Sequence, residues 1–237
     1  MPAPLLVIGA TALEVQPVVD ALAGVEAAFG WGPAWVGRAA TSEAVVSVTG
    51  VGKANAAAAL ALAIERWRPR AVVQVGIGGA FAGSFLSVGM VAVAALEVHL
   101  DCGAGEGEAW QSMEQLGFPL LSGPPPLFNV MPTDPALSER LAAPSRAPLV
   151  RFGTSERVTA SLEAADRLQR RFDVAIESME GAAAAQVCRA LGVPFAELRG
   201  VSNIVGERDK RAWDVPCAVR ASSEALAAAL PALGAAA

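Results

Sequence analysis

The sequence predicts an α/β protein, a single-domain three-layer α/β/α sandwich with a central mixed, largely parallel twisted sheet. Three observations lead to this prediction. The chain has 237 residues, 54% of them hydrophobic, which is enough for one large domain over residues 1–237. Apolar strand-like segments alternate with helical segments along most of its length. The most apolar glycine-rich segment, residues 71–83, is short and fits a buried parallel strand with a following turn.

The first half of the chain shows this alternation directly. Short apolar runs predict strands, and segments rich in Ala and Leu with helical spacing predict helices. Pro69 ends the second predicted helix, because proline cannot continue it. In order, the predicted elements are a strand at residues 5–9, a helix at 13–22, a strand at 44–48, a helix at 54–67, and strands at 71–75 and 88–94.

The second half repeats the pattern after a long interruption. Residues 97–132 carry five glycines and three consecutive prolines, and such an irregular insertion in a compact domain is usually functional or mobile. The alternation then resumes, so this segment is predicted to be an insertion within one domain. The later elements are a strand at residues 149–152, a helix at 162–171, a strand at 174–176, a helix at 179–191, a strand at 195–201 and a helix at 217–230.

Composition argues against several classes of function. The net charge is −5 and no basic cluster is present, which argues against nucleic acid as a partner. No apolar run reaches about 18 residues, so no membrane-spanning helix is expected. The N-terminal residues 1–9 lack a secretory leader pattern, which favours a cytoplasmic location. With three widely spaced cysteines and His99 as the only histidine, we expect neither a metal site nor a cofactor.

Two glycine-rich motifs follow predicted strands. The run Gly76–Phe81 fits either a tight turn in a buried sheet or a close approach of the backbone to a ligand or strand. It lacks the last glycine of a dinucleotide-binding fingerprint. The run Gly50–Lys53 resembles half of a P-loop, but the preceding spacing is wrong and no Ser or Thr follows Lys53. Nucleoside triphosphate binding is therefore not predicted.

Two carboxylates lie where an open α/β sheet binds ligands. Glu14 follows the first strand, and a carboxylate at that edge can act as a general base on water. The alternative for Glu14 is a solvated residue in a helix first turn, stabilised by the helix dipole. Glu180 opens an apolar helix, and its two oxygens can accept hydrogen bonds from the vicinal hydroxyls of a ribose.

Asn203 follows the last predicted strand, after Ser202. A primary amide offers two donors and one acceptor oxygen on a planar group. It can donate to the 6-carbonyl of a purine while its oxygen accepts from a protonated N7. A neutral amide cannot itself be the proton donor that an aspartic acid could be.

Taken in order, these motifs resemble the nucleoside phosphorylase / methylthioadenosine–adenosylhomocysteine nucleosidase superfamily. The Met-Glu and Arg-x-x-Ser-Asn elements are the most specific, and the resemblance covers nearly the whole chain. It implies a nucleoside phosphorylase-like fold, a small-molecule nucleoside substrate, and a homodimer or larger homo-oligomer, to whose interface Leu127, Phe128 and Val130 could contribute. The matching segments are residues 8–14, 50–55, 76–81, 177–181 and 199–203.

Within the superfamily, residues 177–183 and 199–209 are most similar to the futalosine hydrolases of menaquinone biosynthesis. This resemblance implies hydrolysis of the N-glycosidic bond of futalosine, with release of hypoxanthine and dehypoxanthinyl futalosine. It places the water-activating carboxylate at Glu14 and the base-stabilising group at Asn203. The implied substrate-binding residues are Met179 and Glu180 at the ribose, Val158 and Thr159 at the base, and Ser178, Ile77 and Gly78.

Two positions depart from the adenine-specific nucleosidases. These enzymes have Asp in place of Asn203, so the resemblance implies a 6-oxopurine in preference to adenine as the base. Many of them also have Asp in place of Met90. Phosphorolysis needs cations around phosphate, yet residues 9–14 and 76–83 contain no arginine, and only Arg38 remains a candidate phosphate ligand. The alternatives are a methylthioadenosine/adenosylhomocysteine nucleosidase, a 6-oxopurine nucleoside phosphorylase, and a non-catalytic nucleoside-binding protein.

Futalosine carries a carboxylate on its 5′ arm, which requires Arg, Lys or backbone amides. Residues 97–132 contain neither Lys nor Arg. The candidates are therefore Arg208, Lys210 and Arg211, or a residue of a second subunit. The alternative is that these three residues form a solvated charged turn.

Overall fold

A computed structural model describes residues 3–39 and 42–234. The strands are β1 (Leu5–Gly9), β2 (Val25–Glu26), β3 (Ala34–Ala39), β4 (Ser42–Val48), β5 (Ala71–Ala80), β6 (Val91–His99), β7 (Gly103–Ala104), β8 (Gln111–Ser112), β9 (Val130–Pro132), β10 (Leu149–Thr154), β11 (Ile176–Ser178) and β12 (Phe195–Ile204). The helices are α1 (Ala12–Ala21), α2 (Lys53–Trp67), α3 (Met113–Leu116), α4 (Pro135–Ala142), α5 (Leu162–Phe172), α6 (Gly181–Leu191) and α7 (Val215–Gly234).

The central sheet has ten strands in the order β11-β10-β6-β12-β5-β1-β4-β3-β2, with β9 paired to β6. Strands β4, β1, β5 and β12 run parallel to one another, as do β6, β10 and β11. The two groups meet where β12 pairs antiparallel with β6. An antiparallel pairing of β11 with β5 joins the far end of the second group back to the first. The predicted α/β fold with a mixed central sheet is confirmed.

Helices cover both faces of the sheet. On one face, α1, α4 and α7 pack together over a core that includes Val7, Val73 and Leu198. On the other, α2 and α6 pack over Leu6, Val72 and neighbouring residues. Successive residues of the central strands are therefore buried on opposite faces, which explains their nearly continuous apolar sequence. No helix in residues 3–39 and 42–234 is long and apolar enough to cross a membrane.

The glycine-rich run after the third predicted strand is part of that strand. Strand β5 continues through Gly76 to Ala80, so the tight-turn alternative is wrong and the close-approach alternative is correct. A Cβ atom at Gly76 would lie 2.5 Å from Glu14 Oε1 and 2.6 Å from Arg199 Nη1. Glycine is required here because two charged side chains pack against the strand backbone.

The insertion is more ordered than its composition predicts. Residues 97–99 complete β6, residues 130–132 pair with it as β9, and the short elements β7, β8 and α3 lie between them. Within this segment Leu127 packs against the core of its own chain, whereas Val130 is 40% exposed. The proposed oligomer interface at these residues stays a prediction.

Candidate active site

A pocket of about 300 Å³ opens at the carboxyl ends of β1, β5, β11 and β12. Parallel strands of open α/β sheets bind ligands at this edge. Eight of the nine predicted site residues line it, namely Glu14, Ile77, Gly78, Val158, Ser178, Met179, Glu180 and Asn203. The fold thus brings together residues that are up to 189 positions apart in the sequence, counted from Glu14 to Asn203.

Glu14 is held at the start of α1 by a capping box. The Thr11 hydroxyl accepts a hydrogen bond from the Glu14 amide, and Glu14 Oε2 accepts from the Thr11 amide at 2.9 Å and the Thr11 hydroxyl at 2.8 Å. Glu14 Oε1 accepts from the Ile77 amide at 3.0 Å. Only 5% of Glu14 is exposed, so it is not the solvated first-turn residue of the alternative interpretation. Oε1 retains a lone pair for a further donor.

Glu180 precedes α6 and lies opposite Glu14 across a buried arginine. Its Oε1 accepts from the Gly52 amide at 3.0 Å, and its Oε2 accepts from Arg199 Nη2 at 3.0 Å. Arg199 Nη1 lies 3.8 Å from Glu14 Oε1 and donates to the Ile77 carbonyl at 3.0 Å. Each Glu180 oxygen therefore has one fixed donor and remaining capacity to accept another.

Arg199 is 1% exposed and keeps its charge because carboxylates surround it. Burial alone lowers the pKa of Arg199, but the charges of Glu197, Glu180 and Glu14 outweigh it and raise this pKa above the ordinary value. From the sequence, Arg199 is recognisable as part of a motif, but its contacts are not. Two charged residues two positions apart in the apolar segment 195–201, Glu197 and Arg199, are the signal that could have indicated a buried ion pair.

A bulge in β12 directs two consecutive side chains toward the pocket. The register with β5 shifts between Val201 and Asn203, and Ser202 and Asn203 both line the cavity. The Ser202 hydroxyl donates to Asn203 Oδ1 at 2.8 Å, and Asn203 Nδ2 donates to the Ile204 carbonyl at 3.1 Å. One amide hydrogen and one oxygen lone pair of Asn203 remain unused by these two contacts.

The segment after β10 forms another wall of the pocket. Val158 contacts the cavity, whereas Thr159 is not one of its lining residues. The Thr159 hydroxyl and amide both donate to the buried carboxylate of Glu177. Burial raises the pKa of Glu177, and these hydrogen bonds act in the opposite direction. A direct contact of Thr159 with a purine stays a prediction.

Trp213 forms the rim of the pocket next to the charged turn. Its indole nitrogen donates to the Glu207 carbonyl at 3.1 Å, and the Arg208 guanidinium lies 5.2 Å from the ring centroid. Arg211 instead forms a bidentate contact with Asp209 at the surface. Among the residues predicted to bind the carboxylate of the 5′ arm, Arg208 is therefore the one that stacks on Trp213, a residue of the pocket wall.

Comparison with known proteins agrees with this geometry. The futalosine hydrolase of Thermus thermophilus is 38% identical over 81% of this chain and 83% of its own length. That of Acidothermus cellulolyticus is 37% identical over 94% of this chain and 88% of its own length. The fold is similar to that of a 5′-methylthioadenosine/S-adenosylhomocysteine nucleosidase from Neisseria meningitidis, solved in complex with methylthio-immucillin-A. The TM-score is 0.83, the sequence identity is 25%, and the match covers 97% of this chain and 99% of that one. Residues 4–233 match the family described as the phosphorylase superfamily, and the chain belongs to that superfamily.

Proposed function

We propose that this protein is an N-glycosyl hydrolase that cleaves futalosine into hypoxanthine and dehypoxanthinyl futalosine. The observation that carries the proposal is the placement of Glu14 and Glu180 on the same pocket, with Arg199 between them. The similarity to two futalosine hydrolases over most of the chain supports the choice of substrate. A purely non-catalytic binding role would give no reason for a second buried carboxylate at the site.

Glu180 binds the ribose in this account. Its two oxygens are fixed by Gly52 and Arg199, so the remaining lone pairs have defined directions for the 2′- and 3′-hydroxyls. Met179 packs against the sugar from the same segment. Orientation fixed before binding lowers the entropic cost of reaching the transition state.

Glu14 activates water in this account. The bond between C1′ and the purine nitrogen breaks with its electron pair going to the base, and the sugar develops oxocarbenium character. Water attacks C1′ and transfers a proton to Glu14 Oε1. The proton then passes to solvent, and solvent returns one proton to the departing base, so the net reaction consumes one water.

Asn203 stabilises the leaving hypoxanthine. The unused amide hydrogen of Asn203 donates to O6 and its oxygen accepts from N7–H. The hydroxyl of Ser202 holds the amide oxygen and so favours one orientation of the amide. Asparagine cannot deliver a proton to the base as aspartic acid can. The site therefore suits hypoxanthine, which leaves more readily than adenine and presents a carbonyl to the amide hydrogen.

The charge of the pocket favours water over phosphate as the nucleophile. Among the described residues, the charged side chains lining it are Glu14, Glu177, Glu180 and Arg199. Arg199 is paired with Glu180 and with Glu197, so a phosphate dianion would face an excess of negative charge. Arg38 lies on β3 and does not line the pocket.

The test is incubation with futalosine, inosine and methylthioadenosine, each with and without phosphate, followed by chromatography of the free base. The proposal expects hypoxanthine from futalosine at a rate that phosphate does not increase. Faster release of adenine from methylthioadenosine would identify an adenine nucleosidase instead. Release that requires phosphate would identify a phosphorylase, and binding without cleavage of any nucleoside would identify a binding protein.

A further inference from the structure

A second pair of carboxyl groups lies behind the proposed active site. Glu97 on β6 and Glu197 on β12 are both fully buried. Both side chains approach Gly181 at the first position of α6, and a Cβ atom there would overlap the two carboxyl groups. Glycine thus leaves the space that the pair occupies. Neither glutamate lines the pocket, and neither takes part in the proposed hydrolysis.

Each of these carboxyl groups has one oxygen with a fixed donor. Glu97 Oε2 accepts from the Thr154 hydroxyl at 2.8 Å. The Thr154 oxygen itself accepts from the Ala182 amide of α6 at 2.8 Å, which directs its hydrogen toward Glu97. Glu197 Oε1 accepts from Arg199 Nε at 2.6 Å. Each of these two oxygens therefore acts as a hydrogen-bond acceptor and does not carry the proton of its carboxyl group.

The other two oxygens lie beside the same point of α6, since a Cβ atom at Gly181 would overlap Glu197 Oε2 and lie 2.6 Å from Glu97 Oε1. Glu97 Oε1 and Glu197 Oε2 are buried, and no N–H or other O–H group in residues 3–39 and 42–234 donates to them. Two ionised carboxylates in this arrangement would repel each other in a medium of low dielectric constant. One proton on Glu97 Oε1 removes the repulsion and makes a hydrogen bond to Glu197 Oε2. It also satisfies both buried oxygens at once.

The surroundings of Glu97 favour the protonated form. Burial, then the charge of Glu197 and the hydrogen bond to it, raises the pKa of Glu97 well above its usual range. The Thr154 hydrogen bond and the charge of Arg199 act in the opposite direction. Neighbouring β9 contributes the uncharged Met131, and α6 contributes backbone and alanine side chains. The positive end of α6 stabilises the single negative charge that remains on the pair.

Arg199 links this pair to the active site. Glu197 holds the Nε edge of the guanidinium, while Nη2 contacts Glu180 and Nη1 contacts the Ile77 carbonyl. We propose that Glu97 and Glu197 share one proton and form a positioning pair that fixes Arg199, and through it Glu180, for substrate binding. The effect on turnover rests on the function proposed above, whereas the shared proton does not.

Infrared spectroscopy tests the shared proton without any substrate. Glu97→Gln preserves the contacts, because the amide oxygen accepts from Thr154 and the amide nitrogen donates to Glu197. The wild type at neutral pH should show the carbonyl stretch of a protonated carboxylic acid that Glu97→Gln lacks. A protonated Glu177 would absorb in both proteins and cancel in the difference spectrum. A difference spectrum without this band would overturn the proposal.

Kinetics test the positioning role. Loss of the shared proton at alkaline pH should lower kcat/KM of the wild type, and Glu97→Gln should remove this alkaline decline. Glu97→Leu, which cannot donate to Glu197, should have a kcat/KM at least about tenfold below that of Glu97→Gln, the effect of one buried hydrogen bond. Equal kcat/KM values for the two variants, or an unchanged alkaline decline in Glu97→Gln, would overturn the positioning role.

Two controls separate the possible failures. Circular dichroism and thermal unfolding establish that each variant is folded before its kinetics are interpreted. Gly181→Ala, which adds a methyl group between the carboxyl groups, should shift the same infrared band without changing either glutamate, because it breaks the hydrogen bond between them while Glu97 stays buried; an unshifted band would show that the proton is not shared. If the wild type cleaves no nucleoside, the proposed function and the effect on turnover are overturned, and the infrared band still decides whether the proton is shared.

Discussion

The side chains of Arg199 and Glu180 form a buried ion pair, with Nη2 and Oε2 3.0 Å apart and both side chains at most 4% exposed. Glu197 fixes the opposite edge of the guanidinium at 2.6 Å. Because the arginine is held on both sides, it can orient Glu180 before substrate arrives. We therefore expect Arg199 to influence ribose binding through Glu180.

Glu180→Gln should lower kcat/KM for futalosine by about 10- to 100-fold, the value of a charge-assisted hydrogen bond. The protein should remain folded, since Arg199 keeps Glu197 as a partner. Steady-state kinetics with thermal unfolding as a control measure both effects. A variant with wild-type kcat/KM would show that Glu180 does not bind the ribose.

Glu14→Gln should remove turnover while substrate binding is largely retained. An amide keeps the approximate shape of the side chain but cannot accept a proton from water, and general bases typically contribute about 10²- to 10⁴-fold. Initial rates from quenched time points at saturating futalosine give kcat, and equilibrium dialysis gives the Kd of the variant for futalosine. A kcat close to that of the wild type would exclude Glu14 as the base.

Asn203→Asp should shift base preference toward adenine nucleosides. A protonated carboxyl can donate to N7, whereas the amide hydrogen that contacts O6 is lost. We expect the ratio of kcat/KM for methylthioadenosine to that for futalosine to rise at least about tenfold, as the exchange of one hydrogen bond allows. Asn203→Ala serves as the matched control, because it removes the O6 contact without adding an acid. An equal ratio in both variants would contradict a base-selective role.

Arg208→Ala should raise KM for futalosine without a comparable effect on inosine, which lacks the carboxylated arm. Arg208 stacks on the pocket residue Trp213, whereas Arg211 is paired with Asp209 at the surface. Arg211→Ala is therefore the matched control and should leave both KM values unchanged. If Arg208→Ala changes KM for both nucleosides to the same extent, Arg208 does not bind the 5′ carboxylate.

His99 should make stability depend on pH. Burial, followed by the charge of Lys53, lowers the pKa of His99 from 6.5 to about 4. As the pH falls through 6.5, His99 takes up a proton in the unfolded chain but not in the folded protein. The contribution of His99 to the free energy of unfolding is therefore complete above pH 6.5 and is lost as the pH falls toward about 4. The expected loss in the free energy of unfolding is about 3 kcal/mol.

Denaturant unfolding across this pH range measures the effect. His99→Gln keeps a donor for Gln186 without a group that titrates in this range, and the chain contains no other histidine. The variant should lose less unfolding free energy on acidification than the wild type. Identical losses in the two proteins would show that His99 does not cause the pH dependence.

The sequence was sufficient to predict the order of strands and helices from Leu149 onward, because the hydrophobic periodicity there is regular. Boundaries failed where tertiary contacts decide them. Strand β5 extends through Gly76 and Gly78 because Glu14 and Arg199 fill the space that side chains would occupy. Strand β3, which lies between β4 and the edge strand β2, was not predicted, since its sequence lacks a continuous apolar run.

The candidate site was predictable to the extent that each group follows a strand end. Glu14 and Glu180 do so, Asn203 lies at the carboxyl end of β12, and all three meet at one pocket. The network behind the site was not predictable in the same way. Glu97 lies in the insertion that composition marks as irregular, and its contact with Glu197 depends on the pairing of β6 with β12. Strand order is a property of the whole chain that local patterns do not determine.

We propose that water, activated at Glu14, releases hypoxanthine from futalosine. The most direct measurement follows futalosine cleavage in the presence of inorganic phosphate, with hypoxanthine measured by chromatography and sugar phosphate by ³¹P NMR. We expect stoichiometric release of hypoxanthine, dehypoxanthinyl futalosine as the only sugar product and no sugar 1-phosphate. Formation of a sugar 1-phosphate, or no release of hypoxanthine by the folded wild-type protein, would contradict it.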